Sequence, residues 1–355
     1  MTKSLIAILL SLYTANAFCG YGGYIGQYDN RTYGSLSSPE YRGVTKLSVG
    51  GYSCTGGFVS KNLILTNDHC ALHCRNECSA LFWNGSGYEK SKLRVVAYYE
   101  QFETLDGNDW ALLISDKESN FYKPVSPTSS PGQIIRGGFG ALRIIENNEI
   151  PFLKQLYIQT QKEFGTSCKR QQKISYYECI NEHVNTKLEN MGKKPLLSDS
   201  NNFKVQTCKI LGTHPQSNRM LLTDCDSSGG DSGAPLLRNN QIIGLNNSGK
   251  QNIFGTETAN ASAIKPENFY KYVQKYIKKY EQTQNNTSNN NNNNSSNNST
   301  TSGTNNTQPI PQPNQNTGTQ NTNNPTPTTP QPVVHDDPQK IQQLLQQKLL
   351  NFDCD

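Results

Sequence analysis

Asp226-Ser227-Ser228-Gly229-Gly230-Asp231-Ser232-Gly233-Ala234-Pro235 decides the reading of this chain. It sets one serine between glycines, beside a carboxylate and just before the apolar pair Leu236-Leu237. Glycines let the backbone turn sharply and aim its N–H groups inward, and the apolar run after the turn suits a strand that holds it rigid. A serine so placed suits nucleophilic attack. The N–H groups of Gly230 and Ser232 are then available to stabilise an oxyanion. Other tight polar turns share these features, so the reading depends on whether the chain also supplies a base and an orienting acid.

Upstream, Cys54-Thr55-Gly56-Gly57-Phe58-Val59-Ser60 and Asn62-Leu63-Ile64-Leu65-Thr66 read as two short strands joined by a polar turn. The second runs into Asn67-Asp68-His69-Cys70, which makes His69 the candidate base. A disulfide from Cys70 back to Cys54 would fix the imidazole, as a general base requires. Gly107-Asn108-Asp109-Trp110-Ala111-Leu112-Leu113-Ile114 places a single acid directly before an apolar strand. A carboxylate there is positioned to accept a hydrogen bond from the histidine Nδ1–H. A competing pattern overlaps the base: His69, Cys70, His73, Cys74 and Cys78 would line one helix face and suit zinc. An oxidising compartment and the lack of a paired Cys-x-x-Cys favour a short helix with a local Cys74–Cys78 disulfide instead, and no metal.

The compartment follows from the N-terminus. Lys3, the apolar run Leu5–Leu12 and Ala15-Asn16-Ala17 make residues 1–17 a secretory signal peptide, and the run is too short to span a bilayer. The mature protein is expected to be secreted, with no membrane span. Ten cysteines in such a chain imply disulfides. Besides the two pairs above, Cys168–Cys179 and Cys208–Cys225 are local candidates, and Cys19 and Cys354 are left to each other. A net charge of +5, spread along the chain, does not point to nucleic acid. No cofactor is implied.

The remaining segments read as follows. Residues 18–40 form an irregular N-terminal arm or pro-segment, and Tyr41–Val49 and Leu93–Tyr99 are strands. Ala141–Ile145 continues a strand after the Gly137–Gly140 turn, and Tyr157–Thr160 is another. Residues 161–204 are a surface insertion with a helix near Asn181–Asn190. Phe203–Ile210 and Met220–Cys225 make a hairpin. Leu236-Leu237 and Gln241–Leu245 make another, and Ala259–Lys265 is a last strand. A helix from Pro266 to about Tyr280 places Phe269, Val273 and Ile277 on one stripe. Residues 281–332, rich in Asn, Thr and Pro, are a disordered linker. Residues 333–355 carry a short helical tail. Many short strands with turn signals indicate an all-β barrel or sandwich.

With His69, Asp109 and Ser232 in that order, the chain resembles the trypsin/chymotrypsin-like serine peptidases over residues 41–280. Leu65–Cys70 is similar to the family's histidine motif, Asp109–Leu113 to its aspartate motif and Gly230–Gly233 to its serine motif. Gly138-Phe139-Gly140 is similar to a further family turn. The resemblance implies two packed antiparallel six-stranded β-barrels with the site in the cleft between them. It also implies a protein or peptide substrate, attacked by Ser232 with His69 as base and Asp109 orienting it, in a monomer. Thr55–Ser60 and Thr223–Asp226 resemble the bacterial and glutamyl-endopeptidase-like branch. The Ile-Val-Gly-Gly activation site is absent, so a buried Asp231 needs another positive partner. A new N-terminus after Arg31 or Arg42 is one source. Asp226, six residues before Ser232, stands where trypsin-like members carry the acid of the specificity pocket, which suggests cleavage after Arg or Lys. Asn246 is near the position where glutamyl endopeptidases place a histidine. With Asn247 it lies in Gly244–Gly249, the strand expected beside the substrate. A non-catalytic binding or adhesion protein on the same fold is the alternative.

Overall fold

A computed structural model describes residues 23–24, 29–74, 78–99, 107–170, 176–215, 217–248, 261–293 and 343. The expected signal peptide, Cys19 and Cys354, and the expected linker beyond 293 lie outside the described residues, as does the expected tail apart from residue 343.

Two short strands come first, β1 (Gly23–Tyr24) and β2 (Thr32–Tyr33). The first barrel follows: β3 (Val44–Val49), β4 (Tyr52–Phe58), β5 (Leu63–Thr66), the one-turn helix α1 (Asp68–Leu72), β6 (Cys78–Trp83), β7 (Tyr88–Tyr98) and β8 (Ala111–Ser115). Its strands close in the order β3-β4-β5-β8-β7-β6, all antiparallel. The β3–β4 hairpin turns on Gly50 and Gly51 at φ +58° and +90°, the left-handed pair a two-residue hairpin needs. Leu47, Phe58, Ile64, Phe82, Val95 and Leu113 fill the interior.

The second barrel is built from β9 (Gly132–Gly138), β10 (Lys204–His214), β11 (Ser217–Thr223), β13 (Pro235–Arg238), β14 (Gln241–Ser248) and β15 (Ala261–Ile264), with β12 (Ser227–Ser228) before β13. Its closed order is β9-β10-β11-β15-β14-β13. Ile134, Ile210, Leu221, Leu236 and Ile243 pack inside. The expected pair of six-stranded barrels is therefore present. β2 adds to the start of β10, which β11 does not reach, and β1 pairs with β12. The barrels approach where Gly57 of β4 lies against Pro235 and Ile242.

Between the barrel-two strands β9 and β10 the chain departs from the expected strands, while the expected helix near Asn181–Asn190 lies within the second of two helices there. The expected strand Tyr157–Thr160 lies inside a helix, α2 (Ile150–Arg170), paired with α3 (Tyr176–Asn190). Leu153, Leu156, Tyr157 and Thr160 are all buried. That is spacing i, i+3, i+4, i+7, a 3.6-residue period that a four-residue window cannot distinguish from alternation. With Ile180, Val184, Leu188 and the Cys168–Cys179 disulfide they form a separate core. Residues 141–145 do not continue β9 either. They make a single bridge, Leu142 to Leu197, and are held by the N-terminal arm.

After a 3₁₀ turn at Pro266–Asn268, α4 (Tyr270–Asn293) begins. Phe269 and Val273 are buried. From Lys275 on, the chain belongs to a second compact unit, whose described residues are the rest of α4. The helix thus runs past Tyr280 into the Asn-rich stretch, because extending a formed helix costs far less than starting one. No helix among the described residues is long and apolar enough to cross a membrane.

Candidate active site

His69 is delivered by β5, whose four residues are all buried, and sits in the single turn of α1. Its Nδ1 lies 2.7 Å from Asp109 Oδ2, and its backbone N–H donates to Asp109 Oδ1 at 2.9 Å. Asp109 is 0 % exposed. Its carbonyl accepts from Asn67 Nδ2 at 2.7 Å, so both strand ends are tied together. The next residue, Trp110, stacks on Tyr272 at 5.2 Å. The Cys54–Cys70 disulfide then fixes α1 to β4.

Burial lowers the His69 pKa, but the carboxylates of Asp109 and Asp68 more than offset it, and the net shift is upward from 6.5. A base must be neutral to accept a proton. Any reaction using His69 is therefore expected to lose rate as pH falls, with the half-point above the ordinary histidine value. The acid limb of kcat/KM against pH checks this. The ion pair's contribution to stability runs the other way: it is fully present below the unfolded pKa and fades as pH rises through the raised folded value.

The serine turn is shaped by glycines that nothing larger could replace. Gly230 and Gly233 have φ +99° and +78°. A Cβ on Gly230 would collide with the Phe139 carbonyl, and one on Gly233 with Thr66 Oγ1 and the Thr55 carbonyl. The turn is thus pressed against the end of β5, two residues before α1. Thr55 works on both sides: its N–H donates to the Ser232 carbonyl at 2.9 Å, and its hydroxyl to the Gly230 carbonyl at 2.8 Å. With the Gly230 and Ser232 carbonyls held this way, the N–H groups of Gly230 and Ser232 have no acceptor in the protein among the described residues.

Asp231 is 1 % exposed, and its carboxylate is taken up by the second barrel. Its Oδ2 pairs with Arg136 Nη2 at 2.9 Å and accepts the Ser228 N–H at 2.9 Å, and its Oδ1 accepts the Gly140 N–H at 2.9 Å. The positive partner sought in a new N-terminus is Arg136 of β9. Arg31, one of the two residues considered for a new N-terminus, has its side chain buried. Arg136 was legible as the lone charge on the inward face of Gly132–Gly138, level with Ile134. Lys204, buried at the start of β10, was also missed. Its Nζ donates to the carbonyls of Gly140 and Asp199 at 2.7 and 2.8 Å, holding the Gly138–Gly140 turn from behind.

The residues expected to face substrate are all buried. Asn246 is buried: Nδ2 donates to the Asp231 carbonyl at 3.0 Å, and Oδ1 accepts from Arg136 Nη1 at 3.1 Å. It braces the serine turn from inside. Asn247, also buried, follows on β14, and Gly249 lies outside the described residues. Asp226 is 0 % exposed, with Oδ2 accepting the backbone N–H of Asn30 at 2.9 Å. Cys54–Cys70, Cys74–Cys78, Cys168–Cys179 and Cys208–Cys225 are all disulfides. Cys70, Cys74 and Cys78 therefore offer no thiolate, and Cys78 opens β6 instead of extending a helix, which removes the zinc reading. His183 is stacked on Phe164 at 3.9 Å.

Residues 34–143 match the family model described as Trypsin. That stretch includes the whole first barrel, His69 and Asp109. No curated protein matches the chain. Among solved structures, neuropsin, a serine protease expressed in the limbic system of mouse brain, is 13% identical with a TM-score of 0.48, over 71% of this chain and 100% of its own. A Glu endopeptidase solved in complex with MPD is 17% identical with a TM-score of 0.43, over 70% of this chain and 97% of its own. The chain resembles the trypsin-like serine proteases, and these matches single out no bacterial or glutamyl-endopeptidase-like branch.

Proposed function

We propose that the chain is a secreted serine endopeptidase that hydrolyses peptide bonds through an acyl-enzyme. Ser232 Oγ attacks the carbonyl carbon while His69 takes its proton. Asp109 holds the imidazole in the needed tautomer and stabilises its charged form. The N–H groups of Gly230 and Ser232 receive the negative charge that develops on the carbonyl oxygen. His69 then protonates the leaving amine, and water repeats the sequence to release the acid. No metal or cofactor enters these steps. The four disulfides agree with an oxidising, extracellular destination.

The observation that carries the reading is the 2.7 Å contact between His69 Nδ1 and a fully buried Asp109. A binding protein on the same fold has no use for a buried carboxylate aimed at an imidazole. A fluorophosphonate probe is expected to label Ser232 of the purified protein. Ser232→Ala is expected to abolish labelling and lower kcat by about 10⁶. Absence of label on the intact protein would favour the non-catalytic binding reading.

A further inference from the structure

The chain ahead of the first barrel is anchored by buried charge. Arg31 is 2 % exposed. Its Nε and Nη2 grip the two oxygens of Asp29, each at 2.9 Å, the paired geometry guanidinium groups favour. Nη1 donates to the Leu142 carbonyl at 3.2 Å, and Nη2 also donates to the Arg143 carbonyl at 2.9 Å. Asp29 Oδ2 also accepts the N–H of Ile145 at 2.8 Å. The residue between them, Asn30, gives its backbone N–H to Asp226 Oδ2 at 2.9 Å. Further back, β1 pairs with β12, Gly23 opposite Ser228 and Tyr24 opposite Ser227.

The arm therefore joins two segments, 142–145 and 226–228, and both connect to the serine turn. Ser228 donates its N–H to Asp231 at 2.9 Å, and the Ala141 N–H donates to the Gly229 carbonyl at 2.7 Å. Asp226 is bolted in by Gln206, whose side chain donates to its carbonyl at 2.6 Å and accepts its N–H at 3.0 Å. A carboxylate that selects a cationic side chain must turn oxygens toward an open pocket. Asp226 is fully buried, and its Oδ2 is turned toward the arm, where it accepts the Asn30 N–H.

We propose that residues 29–31 are a positioning clamp for the serine turn, with Asp226 as its anchor instead of the acceptor of a substrate cation. Resting on the peptidase reading above, the enzyme then does not select Arg or Lys before the scissile bond. The arm is accordingly a permanent part of the mature domain and not a removable pro-segment.

The test uses the secreted full-length chain with Arg31→Gln, Asp29→Asn, Asp226→Asn and Asp226→Ala. Hydrogen exchange and limited proteolysis read the arm whether or not the protein is active. Arg31→Gln and Asp29→Asn are expected to speed exchange at 142–145 and 226–231. They are also expected to lower the rate of fluorophosphonate labelling and kcat by about 10²-fold through misplacement of the turn, with KM little changed. Asp226→Asn keeps an acceptor for Asn30 and is expected to keep the arm protected, whereas Asp226→Ala exposes it. A peptide library cleaved by the wild type is expected to show no preference for Arg or Lys. Such a preference, erased by Asp226→Asn, overturns the assignment of Asp226. Unchanged exchange at 226–231 in Arg31→Gln overturns the clamp. If the wild type takes no label, the peptidase reading falls, and exchange alone decides the clamp.

Discussion

Asp109→Asn is expected to lower kcat by about 10⁴ while leaving the fold intact. The reason lies in the second hydrogen bond Asp109 makes. The backbone N–H of His69 donates to Oδ1 at 2.9 Å, so the asparagine must place its carbonyl oxygen there. Its NH₂ then faces His69 Nδ1, which can only accept. The ring proton is driven to Nε2, the nitrogen that must take the proton of Ser232. A carboxylate, which accepts at both oxygens, makes no such demand. The variant also removes the charge that offsets burial of the imidazole. Its residual activity is expected to have an acid limb shifted to lower pH than the wild type. Steady-state kinetics from pH 5 to 9 on both proteins read the two effects separately. A variant that loses rate without moving the limb would mean that Asp109 does not set the protonation of His69.

How much of this was legible in the sequence depended on range. His69, Asp109 and Ser232 stand next to local signals: a strand end, a strand start and a glycine turn. Such features are fixed by near neighbours, so the three positions could be proposed from the sequence and the four local disulfides, which the structure forms, could be read off directly. What the polar neighbours of the turn do could not. Asp226 takes its meaning from Asn30, 196 positions away along the chain, and Asp231 and Asn246 take theirs from Arg136, 95 and 110 positions away. Pairing over such distances is decided by barrel closure, and no periodicity announces it. Helix α2 was misread for a different reason, whereas the helix expected near Asn181–Asn190 lies within α3. The apolar residues of α2 are spaced over seven positions, and a reading primed for short strands took four of them. Arg31 shows the same limit in the arm: a glycine- and tyrosine-rich segment looks loose until its one arginine is found to be buried.

Arg136→Leu is expected to cost about 3–5 kcal/mol of stability, the penalty for leaving a buried charge without its partner. The leucine matches the apolar interior around Ile134, so lost packing is a minor part. The damage is to Asp231, which would retain the N–H groups of Ser228 and Gly140 but no cation. It extends to Asn246, which would lose the donor to its Oδ1. Both residues hold the serine turn, so activity is expected to fall more than stability alone requires, with little labelling of Ser232 even where the protein remains folded. The double variant Arg136→Leu/Asp231→Asn separates the two effects. It removes the orphaned charge, and denaturant titration is expected to show most of the lost stability restored. The turn would still lack the ion pair that sets its register against β9, so labelling is expected to stay slow. If the double variant regained stability and labelling together, the pair would be no more than a replaceable prop. If Arg136→Leu alone were as stable as the wild type, Asp231 would be drawing its compensation from other charges, with Lys204 and Arg31 the candidates.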